Sequence, residues 1–163
     1  MPVAYLSLGS NIDREKNIAA GLKTLREYFG ELTVSSVYES EPVGFAGELF
    51  YNLVVSFEST LNVEQLCQTL RQIEIKHGRT ANAQKFSPRT LDLDLILFGD
   101  LIVQDGKLQL PRADIEKYAF VLEPLAEIAP TLKHLISRKT YAELWQTFDK
   151  KNVNQQRVRH FYG

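Results

Sequence analysis

The chain has 163 residues, 44% of them apolar and 24% charged, with a net charge of -1. That length suits one domain with a true core, and the near-neutral balance excludes bulk attraction to nucleic acid or to an anionic membrane, so charge-driven chemistry must be local. No apolar run approaches the ~20 residues of a spanning helix, the start MPVAYLSLGSN has no secretion-signal pattern, and the single cysteine, Cys67, excludes an internal disulfide, so a reducing cytoplasm is the expected compartment.

VAYLSL (3–8) alternates and reads as a strand. Gly9, Ser10 and Asn11 are expected to turn the chain into a helix that has Asp13 and Glu15 in its first turn and runs to about Phe29. TVSSVYES (33–40) and FYNLVVSFES (50–59) are β-branched and aromatic enough for strands. Asn62 suits the N-cap of a helix whose Val63, Leu66, Cys67, Leu70 and Ile73 follow helical spacing, with Gly78 marking its end. SPRTLDLDLILFGD (87–100) supplies a further strand. The order β-α-β-β-α-β is the split βαβ, or ferredoxin-like, α+β arrangement: an antiparallel sheet with two helices on one face. AFVLEPLAEIA (119–129) and TYAELWQTFDK (140–150) add short helices. No repeat or linker divides residues 1–163, which read as one domain. From 149 to 163 the chain is polar, with Val153, Val158, Phe161 and Tyr162 to bury, and both a mobile tail and one docked on the body fit it.

Asp92 and Asp94 stand two apart in the last of these strands, so they share a face while Leu91, Leu93 and Leu95 go to the other. Two such carboxylates repel, and aspartate is a poor strand former, so a positive group is expected between them. A basic side chain would serve, and so would a hard cation such as Mg²⁺, which takes one or two carboxylates and completes its shell with water and phosphate oxygens. The spacing alone does not choose, because D-x-D is common. The preceding stretch RTANAQKFSPRT (79–90) has no apolar periodicity yet carries Arg79, Lys85, Phe86 and Arg89. It reads as a lid whose arginines would meet a metal on phosphate oxygens. There is no P-loop and no glycine-rich dinucleotide motif; LGSN reads as a plain turn, and His77, His134, His160 and Cys67 lack metal-ligand spacing.

GSN (9–11), FYNLVV (50–55), IEIKHGR (73–79), SPRTLDLDLILFG (87–99) and FVLEPLAEIAP (120–130), in that order, resemble the 6-hydroxymethyl-7,8-dihydropterin pyrophosphokinases of folate biosynthesis. The resemblance implies a ferredoxin-like fold and transfer of the β,γ-diphosphate of ATP to the hydroxymethyl group of a reduced pterin, giving AMP. It implies two Mg²⁺ ions on Asp92 and Asp94, with Arg79 and Arg89 holding the transferring diphosphate. Glu74, Phe86, Leu95 and Arg112 would contact the nucleotide; the residues alone leave Glu74 equally able to pair with Arg71. The pterin would lie between Phe50 and Phe120, its edge read by Asn52, with Ser40, Pro42, Val43 and Asp92 contributing. ATP and the pterin are then the partners, with no nucleic acid or membrane and a monomer as the expected state. Arg71, Ala81, Phe86, Arg112 and Tyr118 depart from the residues usual in the family. Two further readings therefore stand beside the first: a diverged paralogue with altered or lost turnover, and a non-enzymatic binding module of the same fold.

Overall fold

The computed structural model describes residues 1–43, 47–78, 90–159 and 161. In chain order the elements are β1 (Val3–Ser10), α1 (Arg14–Phe29), β2 (Thr33–Val34), β3 (Tyr38–Ser40), β4 (Phe50–Glu58), α2 (Val63–Lys76) and β5 (Asp92–Phe98). There follow β6 (Val103–Asp105), β7 (Leu108–Leu110), α3 (Asp114–Lys117), α4 (Ala119–Ile128), α5 (Tyr141–Thr147) and β8 (Gln155–Arg157). The sheet order is β5-β1-β4-β3-β8, with β2 also on β4, while β6 and β7 form a separate hairpin. The β-α-β-β-α-β order is present, and the antiparallel sheet with helices is the ferredoxin-like arrangement.

Alternation divides the sheet residues between two cores. Leu6, Leu8, Leu53, Val55, Leu93 and Leu95 face α1 and α2 and pack with Ile18, Leu22, Leu66 and Ile73. Val54, Ile96 and Leu97 face the other way, toward α4 and α5, and pack with Val121, Leu122, Leu125 and Tyr141. Ile96 and Leu97 share that side because Leu95 sits opposite Leu6 and Leu97 opposite Tyr5, so Ile96 is the extra residue of a β-bulge. A helix as short as α2 is marginal in isolation. Burial of Leu66, Leu70 and Ile73 holds it, at about 1.5–3 kcal/mol for each fully buried side chain. Its start is the expected cap: Asn62 accepts from the Gln65 N–H, and the Gln65 side chain accepts from the Asn62 N–H.

The sequence reading is corrected at several points. β1 continues to Ser10 rather than turning at Gly9, and Asp13 takes up the α1 N-cap at φ 41 without a side-chain cap. The expected strand over 33–40 is broken into β2 and β3. Ser35 Oγ accepts from the Val54 N–H at 2.9 Å and donates to Ser36 O at 2.8 Å, so a side chain replaces a ladder carbonyl there. The β6–β7 hairpin, turning at Gly106 (φ 60), was not expected. The tail contributes β8, which pairs with β3, so this part of it docks on the body. No helix among the described residues is long and apolar enough to cross a membrane.

His77 closes α2 against α1, with Nε2 2.9 Å from Thr24 Oγ1. Burial, assisted by neighbouring Lys76, lowers its pKa below the ordinary 6.5. As pH falls below that value the unfolded chain binds a proton that the folded chain refuses, so stability is complete above it and is lost as pH falls through the lower folded value. Thermal melts are expected to show Tm dropping from about pH 7 to about pH 5, and His77→Gln to flatten that slope. Parallel slopes for the two proteins would show that His77 does not set it.

Candidate active site

The register of the sheet places the acidic strand beside a polar row. Gly9 of β1 is paired with Asn52 of β4 on one side and with Asp92 of β5 on the other. Directly paired residues share a face, so Asn52 and Asp92 project together across a position without a side chain, about 10 Å apart at two strand spacings. A Cβ on Gly9 would lie 2.9 Å from Asn52 Oδ1 and 3.6 Å from Phe50 Cδ1, so the gap exists because the residue is glycine. In the next row Ser7 stands between Val54 and Asp94. This is the face that α4 covers.

Asn52 is buried, and its Nδ2 donates to Ser40 Oγ at 2.6 Å, which turns Oδ1 toward the space above Gly9. Ser40 is opposite Phe50 in the β3–β4 ladder. Phe120, in the first turn of α4, stacks on Tyr118 with centroids 5.0 Å apart and planes at 18°. The departure at Tyr118 thus supplies a second ring beside Phe120. Pro42 and Val43 follow β3 and are half-buried. The chain returns to β4 through a segment pinned to the start of α1: Asn11 Nδ2 donates to Glu48 O at 3.2 Å and Arg14 to Leu49 O at 3.1 Å. Arg14 also pairs with Glu39 at 2.6 Å.

At the acidic end, Arg112 reaches Asp94 at 3.9 Å and Asp114 at 3.3 Å, while its own N–H donates to Ile96 O at 3.0 Å. Burial works against its charge, but Asp94 and Asp114, with Asp92 behind them, outweigh burial and hold the guanidinium above its ordinary value. It is therefore a fixed cation. Its buried Nε is the atom that faces Asp114. Among the described residues, the basic partner left open by the sequence is Arg112, which meets Asp94 and Asp114. The pair offers hard oxygen donors on a partly exposed face, with the Asp94 side chain 34% exposed. That donor set fits Mg²⁺, which needs few protein ligands. Among the described residues no group of three or more His, Cys, Asp or Glu could hold a metal by itself.

Glu74 is 5% exposed, and its Oε2 accepts from the Leu93 N–H, between the two aspartates, at 2.8 Å. It satisfies a backbone donor of the edge strand and fixes β5 to α2. Leu95 is 6% exposed and faces the core on the opposite side from Asp94, so any nucleotide contact there is through its main chain. Arg79, Phe86 and Arg89 lie outside the described residues, and the lid reading falls there with them. The sequence reading missed Gly9 as a site residue. Its signal was a glycine closing an alternating strand, a mark of close approach.

A family profile described as 7,8-dihydro-6-hydroxymethylpterin-pyrophosphokinase matches residues 5–130. The chain is 35% identical over 155 residues to the 2-amino-4-hydroxy-6-hydroxymethyldihydropteridine pyrophosphokinase of Bacillus subtilis, covering 92% of each. It is 34% identical over 145 residues to the protein of that name from Aquifex aeolicus, covering 88% of this chain and 90% of that one. Among solved structures, the HPPK-DHPS triple mutant of Plasmodium falciparum with pteroate superposes with a TM-score of 0.78 at 15% identity, a likeness of fold. It covers 96% of this chain and 46% of that one, so the chain spans about half the length of that solved protein.

Gly9→Ala puts a methyl group where Asn52 Oδ1 now comes within 2.9 Å. The expected result is displacement of the Asn52 amide from Ser40, seen as shifted side-chain NH₂ resonances with the α1 and α2 amides unmoved. Unshifted Asn52 resonances would show that the gap is not required.

Proposed function

The chain belongs to the 7,8-dihydro-6-hydroxymethylpterin-pyrophosphokinase family, and from that premise we propose that it transfers the β,γ-diphosphate of ATP to 6-hydroxymethyl-7,8-dihydropterin in folate biosynthesis. The products are the pterin diphosphate and AMP. The observation that carries this reading is the row Asn52–Gly9–Asp92, which sets a polar group able to read a flat ring one glycine away from the acidic pair. The pterin lies on the gap above Gly9 with Phe50 and Phe120 as its walls. Asn52 Oδ1, aimed by the bond to Ser40, accepts from the ring edge, and Pro42 and Val43 bound the slot.

Asp92 and Asp94 would hold the two Mg²⁺ ions, which would supply charge neutralisation at the phosphates and a lower cost of ionising the substrate hydroxyl. The hydroxymethyl oxygen forms a bond to the β-phosphorus, the bond from that phosphorus to the α,β-bridging oxygen breaks, AMP departs, and the hydroxyl proton is released. Arg112 supplies a permanently charged donor at the phosphate end, pointed by Asp94 and Asp114. Glu74 serves the nucleotide side by holding the backbone between the two aspartates. Arg79 and Arg89 bind the transferring diphosphate, and Phe86 lies against the nucleotide. The enzyme acts as a cytoplasmic monomer. The paralogue and the binding-module readings draw less support, because the acidic pair, the oriented amide and the glycine between them occur together.

Two sets of variants test this. Asp92→Ala and Asp94→Ala are expected to abolish diphosphate transfer while leaving Tm near that of the parent; near-normal turnover in Mg²⁺ by either one removes the metal reading. Asn52→Ala is expected to weaken binding of the reduced pterin by about 1–3 kcal/mol, the cost of an unpaired buried polar edge, and to leave binding of a non-hydrolysable ATP analogue almost unchanged. Equal losses for both ligands would make Asn52 a structural amide instead.

A further inference from the structure

The C-terminal strand lies at the sheet edge farthest from the acidic pair, yet its backbone pairs with Ser40 and one of its side chains reaches the turn of α4 that carries Phe120. In the ladder Gln155 is opposite Ser40, Gln156 opposite Glu39 and Arg157 opposite Tyr38. Gln155 Nε2 donates to Ala119 O at 3.1 Å and to Glu123 Oε1 at 2.7 Å. Ala119 immediately precedes Phe120, and Glu123 lies one turn further along α4. One side chain thus joins the backbone position facing Ser40, whose hydroxyl orients Asn52, to the helical turn that carries Phe120.

Its neighbours fasten the same strand. Asn154 Nδ2 donates to Glu41 Oε1 at 2.9 Å, next to Pro42, and Arg157 donates to Tyr38 Oη at 3.2 Å. The Tyr38 hydroxyl in turn donates to Glu127 of α4 at 2.7 Å. Burial, reinforced by that bond, pushes the Tyr38 pKa up, so the hydroxyl keeps its proton. The Val158 N–H donates to Val37 O at 2.8 Å, and Phe161 meets Tyr51 edge-on at 6.2 Å. β3 has three residues, too few to hold their own position without a partner on each side.

We propose that Gln155 is a positioning residue for the pterin slot: it fixes the distance between the Ser40–Asn52 pair and the Phe120 wall by linking β8 to the first turn of α4. The inference rests on the assignment of the slot made above. A ring held by the Asn52 amide at its edge and by Phe120 on its face is sensitive to that distance, so a small relaxation lowers pterin affinity without reaching the phosphate end.

Calorimetry with 6-hydroxymethyl-7,8-dihydropterin, in Mg²⁺ and a non-hydrolysable ATP analogue, tests it on the full chain. Gln155→Ala is expected to raise the pterin Kd about tenfold while leaving the Kd of the ATP analogue unchanged. Gln155→Glu sets a carboxylate against Glu123 and the Ala119 carbonyl and is expected to be worse than alanine. Gln155→Lys keeps a donor for both acceptors and is expected to restore most of the affinity, which distinguishes positioning from general destabilisation. Asn52→Ala, run in parallel, separates the two claims. If Asn52→Ala loses pterin affinity and the Gln155 variants do not, the positioning role is wrong. If Asn52→Ala binds pterin normally, the slot is misassigned and the positioning role falls with it. Equal weakening of both ligands in Gln155→Ala, without rescue by lysine, reduces Gln155 to a structural contact.

Discussion

The site depends on a side chain that is absent. Gly9 sits mid-sheet between Asn52 and Asp92, and any Cβ there would run into the Asn52 amide. The missing atom does two things at once: it leaves the space over β1 open, and it lets the amide be held by Ser40 with its oxygen turned over that space. The two neighbouring strands then deliver a polar reader on one side and a carboxylate on the other. Because register follows from the apolar faces, the burial of Leu6, Leu8, Leu53 and Leu93 toward α1 and α2 is what keeps Asn52 and Asp92 facing the opposite side.

Around that row, the structure holds its charged parts by linking them to the core. Glu74, itself buried, is bonded to the backbone between the two aspartates, so the edge strand is fixed where its side chains must be placed. Arg112 enters beside the bulge at Ile96 and is held between Asp94 and Asp114. Arg112 is a permanent cation, which answers part of the repulsion between the carboxylates. On the far side, α4 is tied to β3 by Glu127, which accepts from Ser36 and Tyr38, and to β8 by Glu123.

What was legible in the sequence was whatever follows from local chemistry. The Asn62 cap, the helical spacing of Leu66, Leu70 and Ile73, and the shared face of Asp92 and Asp94 were all readable, as was the order of the core elements. The break at Ser35 was not, because it comes from a side chain that takes the place of a ladder carbonyl in accepting from the Val54 N–H of β4, a contact nineteen positions away. Nor was Gly9, since its role appears only once Asn52 is placed opposite it. Asp105-Gly106 is an ordinary hairpin signal that the reading passed over. The tail is a different case. Its polar composition suited a mobile end, and it is ordered over β8 by backbone pairing and by the polar side chains Asn154, Gln155 and Arg157, with Val158 and Phe161 packed against the core beyond it.

The central claim is that the acidic pair and the slot beside Gly9 form one metal-dependent site for two ligands. Calorimetric titration of the unaltered chain with a non-hydrolysable ATP analogue, with and without Mg²⁺, followed by 6-hydroxymethyl-7,8-dihydropterin, tests it most directly. The account predicts nucleotide binding that requires Mg²⁺ and pterin binding to the same protein with the nucleotide in place. Nucleotide binding that is indifferent to Mg²⁺, or the lack of pterin binding under any of these conditions, would contradict it.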